Sequence, residues 1–144
     1  MTLDRIRPLL PALLLALTPG CLGTLPPTPA GSWTGSCDLG SPVPFTFDLK
    51  FVSNADGVFT NGSGPWALYE GAGTWGGSQG IADLAHCEGP HLCELSTQYF
   101  HPDDVVVQFT TNTQPGLVGT WDGDASLSGD CFEGNAGGTF TASR

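Results

Sequence analysis

From Val43 to Phe51 the chain alternates with a period of two. Val43, Phe45, Phe47, Leu49 and Phe51 are apolar, while Thr46, Asp48 and Lys50 between them are polar. Successive side chains of an extended strand point to opposite faces, so such a run is satisfied by a sheet with one buried and one wet side. Asn54-Ala55-Asp56-Gly57 then has the residue types of a hairpin turn, and Val58 to Gly62 reads as the returning strand. The alternation recurs in Val105, Val107 and Phe109, then in Leu117, Gly119 and Trp121, and Ala125, Leu127 and Cys131 keep that parity. No window carries a helical period of useful length. With 21 Gly and 12 Pro in 144 residues, the composition also favours strands and turns. The sequence predicts one all-β, antiparallel domain.

Three segments share the pattern G-[ST]-W-x-G: Gly31 to Gly35, Gly73 to Gly77 and Gly119 to Gly123. A large ring flanked by glycines suits a strand that bends sharply while its Trp fills an interior. Small closed barrels repeat this device, and closure removes exposed edges. The expected architecture is an up-and-down β-barrel of about eight strands, with a β-sandwich as the alternative. Gly31-Ser32-Trp33 resembles the G-x-W of the first strand in lipocalin- and avidin-type barrels. That resemblance implies a barrel and no ligand. Avidins present polar groups after this Trp, where the chain has Gly35 and Leu39, and the later lipocalin motifs are absent. Trp33, Trp75 and Trp121 are candidate ligand-binding residues if the barrel has a chamber, and packed core if it has none.

The N-terminus places the protein. Arg5 and Arg7 precede an apolar run from Leu9 to Leu17. That run is far short of the ~20 residues needed to span a bilayer, and it suits a signal peptide. Thr18-Pro19-Gly20-Cys21 resembles a bacterial lipoprotein box in its Gly20 and Cys21, with Thr18 and Pro19 departing from the usual pattern. The resemblance implies removal of residues 1–20, acylation of Cys21, and, with Leu22 rather than Asp next, sorting to the outer membrane. The alternative is a secreted chain cut at Gly23 or Ala30. Residues 21–31, with three prolines from Leu22 to Gly31, are expected to form an extended tether, and 32–144 the domain. No transmembrane helix is expected in the mature chain. Net charge is −10, becoming −11 when Asp4, Arg5 and Arg7 leave together. Only Lys50 and Arg144 then remain to meet phosphates, which argues against nucleic acid and requires any membrane attachment to be covalent.

Two glycine motifs fit catalytic patterns without the context those patterns need. Gly71 to Gly76 reads G-x-G-x-x-G and Gly76 to Gly80 reads G-x-S-x-G, yet neither lies in a strand–helix unit. Oxygen-bearing residues at Asp122, Asp124, Ser126, Ser128, Asp130 and Glu133 have calcium-loop spacing, but Leu127 occupies the place that requires Gly. A solvated strand face explains the spacing of two.

His86-Cys87-Glu88-Gly89-Pro90-His91-Leu92-Cys93-Glu94 gathers two His, two Cys and two Glu. Export favours disulfides over zinc thiolates, and removing Cys21 leaves four cysteines. Parity puts Cys37 on the Trp33 face and Cys131 on the Trp121 face, so Cys37–Cys131 and Cys87–Cys93 are the expected bridges, with the first and a late strand adjacent. Cys37 with Cys87 or Cys93 is the alternative. His86 and His91 remain as weak metal candidates. No cofactor and no catalytic constellation are expected. The sequence points to a non-enzymatic, lipid-anchored envelope protein that binds a small apolar ligand or a protein partner. The alternative is a metal or redox protein using the His86–Glu94 cluster.

Overall fold

The computed structural model describes residues 27–54, 62–63, 66–88, 93–95 and 98–144. The stretch expected to be a signal peptide, Cys21 with most of the expected tether, Ala55–Gly57 of the expected turn, Val58–Asn61 of the strand expected after it, Gly89-Pro90 and His91 lie outside the described residues. Every element is a strand: β1 (Gly31–Asp38), β2 (Pro42–Asn54), β3 (Gly62–Ser63), β4 (Trp66–Trp75), β5 (Ser78–Cys87), β6 (Cys93–Leu95), β7 (Gln98–Phe100), β8 (Asp104–Phe109), β9 (Gly116–Trp121), β10 (Ser126–Glu133) and β11 (Ala136–Ser143). No helix among the described residues is long and apolar enough to cross a membrane.

Eight strands close an antiparallel barrel in the order β1-β2-β4-β5-β8-β9-β10-β11, with β11 returning to β1. Each barrel strand pairs with the next barrel strand along the chain, which is the up-and-down arrangement. The alternative sandwich does not form. The period of two holds well in β2, where Phe45, Phe47 and Leu49 are at most 2% exposed and Thr46, Asp48 and Lys50 face solvent. Outward positions of β1 and β11 are Ser32, Thr34, Ser36, Thr139, Thr141 and Ser143, the reverse of the apolar outer band of a bilayer-spanning barrel.

Phe45 is the hub of the interior. Its ring lies 5.6 Å from Trp75 and 5.9 Å from Phe47, both stacked, with Phe109 at 5.9 Å and Phe140 at 6.1 Å. Offset stacks and edge contacts at these distances are the favoured aromatic geometries. The middle of the barrel is therefore occupied by side chains.

Of the strand expected at Val58–Gly62, only Gly62 lies among the described residues. β2 pairs with β1 and β4, while Gly62–Ser63 joins β6 and β7 in a separate three-stranded sheet. This small sheet lies outside the barrel. Trp66, Leu68, Ala85 and Val106 point away from the barrel axis and form a second core with Cys87, Cys93 and Phe100. Trp66 and Phe100 meet edge to face at 5.5 Å. On the N-terminal side β1 starts at Gly31, Pro29 is buried, and the Trp33 indole donates to the Pro29 carbonyl at 2.8 Å.

The disulfides are Cys37–Cys131, within the barrel core, and Cys87–Cys93, in the outer core. Their pairing is the expected one, but the first rests on different geometry. β1 and β10 are not neighbours, because β11 lies between them. Cys131 pairs opposite Gly138, and β11 carries no side chain at Gly137 or Gly138, where its neighbours draw in to a Cα–Cα distance of 6.0 Å.

Candidate functional site

The three repeat tryptophans do not converge. Trp33 near the start of β1 and Trp121 at the end of β9 sit at one end of the barrel, and Trp75 at the end of β4 sits at the other. All three are at least 96% buried. Gly77 and Gly123, which close the second and third copies, have positive φ of 89° and 84° in the turns that follow. In these two copies the motif marks where a strand stops, whereas the first copy opens β1. Trp75 donates to Glu133 Oε2 at 2.9 Å, and bonds from Thr113 and then Trp75 hold the Glu133 carboxyl below the usual range. At this end Trp75 is a satisfied core residue.

The opposite end brings Trp33, Trp121 and His86 together. His86 projects inward from β5 and meets the Trp121 ring edge-on at 5.3 Å. Arg144 places its guanidinium over both indoles, 5.0 Å from Trp33 and 5.7 Å from Trp121, and donates to the carbonyls of Thr28 and Ala30 at 2.8 and 2.7 Å. Cation–π contact and carbonyl bonds together clamp the end of the tether onto the barrel. Sequence reasoning missed Arg144, since nothing in the pattern announces an arginine folding back across 114 residues of chain.

His86 is 7% exposed, and neither ring nitrogen has a hydrogen-bond partner among the described residues. Its Nε2 is 4.0 Å from Asp103 Oδ1, too long for a hydrogen bond. Burial lowers its pKa, partly opposed by the charges of Glu88, Asp103 and Asp104. The imidazole is therefore neutral at pH 7. Asp103 holds φ of +73° between β7 and β8, where its carbonyl accepts from the Trp121 amide at 2.9 Å. Tyr69, also inward-facing at this end, has its pKa pushed up to about 12 by burial and then by Glu88.

Of the metal candidates in the His86–Glu94 stretch, His86 is described and His91 lies outside the described residues. Cys87 and Cys93 are joined and wholly buried, so neither offers a thiolate. Among the described residues no group of three His, Cys, Asp or Glu converges on a common point. His101 is exposed. The acidic calcium-like run is broken by a turn: Asp122 Oδ1 accepts from the amides of Asp124 and Ser126 at 2.9 and 3.0 Å, which lowers its pKa, and β10 begins only at Ser126.

One carboxylate pair does form, which the sequence reading did not find. Glu70 and Asp83 are register partners on β4 and β5. Asp83 is 5% exposed, its Oδ1 has no partner among the described residues, and burial, then Glu70, pushes its pKa up to about 6. Only the register reveals such a pair.

Among the described residues the outer wall carries two grooves. One, of about 440 Å³, crosses β1, β2, β4 and β5 and includes Ser32, Thr34, Thr46, Asp48, Thr74 and Gln79. The other, of about 340 Å³, crosses β10, β11 and β1 and includes Thr34, Ser36, Ser126, Ser128, Thr141 and Ser143. No family model, curated protein or solved structure matches this chain.

Proposed function

We propose that the protein is a non-enzymatic, lipid-anchored envelope module that binds its ligand on the outside of the barrel. The observation that carries this reading is the ring stack around Phe45, which occupies the space where a lipocalin-like barrel would hold an apolar molecule. Two disulfides and a chain with few cations fit an exported protein held to its membrane by acyl chains rather than by charge.

The clamp at Thr28–Ala30 gives such a module an orientation. Thr28 lies seven positions after Cys21, a span of at most about 25 Å when fully extended. A lipid on Cys21 would therefore hold the His86 end of the barrel toward the membrane and leave the Trp75 end and the outer wall facing away.

Native mass spectrometry of protein extracted from its own membranes tests this reading. The expected species is a chain beginning at an acylated Cys21 with no small-molecule adduct. A free Leu22 or Gly31 N-terminus removes the anchor, and a stoichiometric apolar adduct removes the claim that binding is external.

A further inference from the structure

We infer that the two outer-wall grooves form one continuous binding site for a neutral glycan chain, an inference that rests on the external-binding reading above. The grooves meet at Thr34, which belongs to both. The strand registers explain their continuity. Ser126 pairs with Ser143, Ser143 with Thr34, Thr34 with Thr46, Thr46 with Thr74, and Thr74 with Gln79. A single row of hydroxyl and amide side chains thus crosses six consecutive barrel strands. At ~4.8 Å per strand the row runs for about 24 Å, the length of a short oligosaccharide.

Gly35 and Gly73 occupy inward positions. A Cβ at Gly35 would stand 2.4 Å from the Thr141 carbonyl oxygen and 2.5 Å from Phe45 Cζ, and one at Gly73 would stand 2.9 Å from Ala82 Cβ. With no side chain at either position, the backbone lies close against the packing behind it, and Gly73 lines the first groove and Gly35 the second.

Their chemistry selects the ligand. In a chain of net charge −10, the only charged side chain that lines either groove among the described residues is Asp48, which accepts a hydrogen bond from Ser32 at 3.0 Å. Thr46 and Thr74 share a hydrogen bond at 2.7 Å, which fixes two hydroxyls in the middle of the row. Rows of hydroxyls that both donate and accept match the hydroxyls of a sugar chain. The acidic body repels anionic polymers, and a single carboxylate offers little to a cationic one. An apolar peptide would take water from Thr34, Gln79 and the remaining donors and acceptors of the bonded hydroxyls without replacing it. A neutral polyhydroxylated chain avoids all three penalties.

The test is amide chemical-shift mapping on the full chain, solubilised in a detergent without a sugar headgroup. Maltotetraose, cellotetraose and chitotetraose serve as probes and an oligogalacturonate as the charged control. At least one neutral probe is expected to shift Thr34, Thr46, Thr74 and Gln79 together, at millimolar concentration, while the anionic control shifts none of them. Thr34→Val and Thr46→Val keep a β-branched residue in the strand and should each lower the association constant about five-fold, the effect of one ordinary hydrogen bond. Gln98→Ala, on the outer sheet, should leave it unchanged. Absence of shifts with all three sugars, or shifts confined to the outer sheet, overturns the glycan site while leaving external binding intact. A co-purified apolar adduct would instead defeat the external reading itself.

Discussion

The molecule has two cores that differ in size, staple and place. The first fills the barrel around Phe45 and is tied by Cys37–Cys131, across a sequence separation of 94. The second sits outside the wall, between Trp66, Val106 and Phe100, and is tied by Cys87–Cys93, across a separation of 6. The first is shared by all eight barrel strands and can melt only with the whole fold. The second covers one side and can open while the barrel persists. The same kind of bond therefore stabilises a global structure in one place and a local one in the other.

Breaking the long bridge should have the largest effect. In the loop-entropy model a loop of this length contributes about 4.7 kcal/mol. Replacing Cys37 and Cys131 by Ser is expected to cost most of that in a denaturant titration of the full chain, with all amides losing protection together. Phe45→Ala comes next, at about 4 kcal/mol, since it empties the hub of the ring stack. It should likewise lower the global midpoint, whereas Phe100→Ala should raise hydrogen exchange only around β6 and β7 and at the outward residues they cover. Equal global losses from both would merge the two cores into one.

Opening the short bridge is expected to be milder, about 2.3 kcal/mol on the same model. Cys87 and Cys93 replaced by Ser should expose the Trp66 fluorescence at mild denaturant before the barrel unfolds. A single coincident transition would contradict the separation. The smallest effect is electrostatic. Asp83 has a folded pKa of about 6 against an ordinary 3.8. The unfolded chain thus gives up this proton first, and the contribution to stability is greatest below the ordinary value and lost as pH rises through about 6. Asp83→Asn should flatten that slope and raise stability at pH 7 by about 1–2 kcal/mol. Thermal melts between pH 4 and 7 read it out, and a loss of stability at pH 7 would show that the carboxylate is held by partners rather than penalised.

The two cores also explain what could be read without coordinates. In β1, β2, β10 and β11 one face is wet, so Phe45, Phe47 and Leu127 alternate visibly with Thr46, Asp48 and Ser128, and the barrel followed from that pattern. Around Trp66–Tyr69, Ala82–Cys87 and Val105–Val107 both faces are buried, one by the barrel and one by the outer sheet. Alternation vanishes there, and the three-stranded sheet stayed hidden with it. Parity paired Cys37 with Cys131, although the strands between which the bridge runs flank β11 instead of touching. The candidate site was less legible. His86 was singled out for its neighbours in sequence, but its neighbours in space are Trp121 and Asp103, which only closure of the barrel supplies. The hydroxyl row was present as Thr34, Thr46 and Thr74, spread over 41 residues, and only the strand registers align it.

Xenon-pressurised NMR asks most directly whether the barrel interior is packing and not a chamber. With Phe45 and its neighbours filling the middle, the methyl signals of Leu84, Val107, Leu117 and Leu127 should stay in place under several atmospheres of xenon. Saturable shifts of those methyls would reveal an apolar cavity among them and return the ligand to the inside of the barrel.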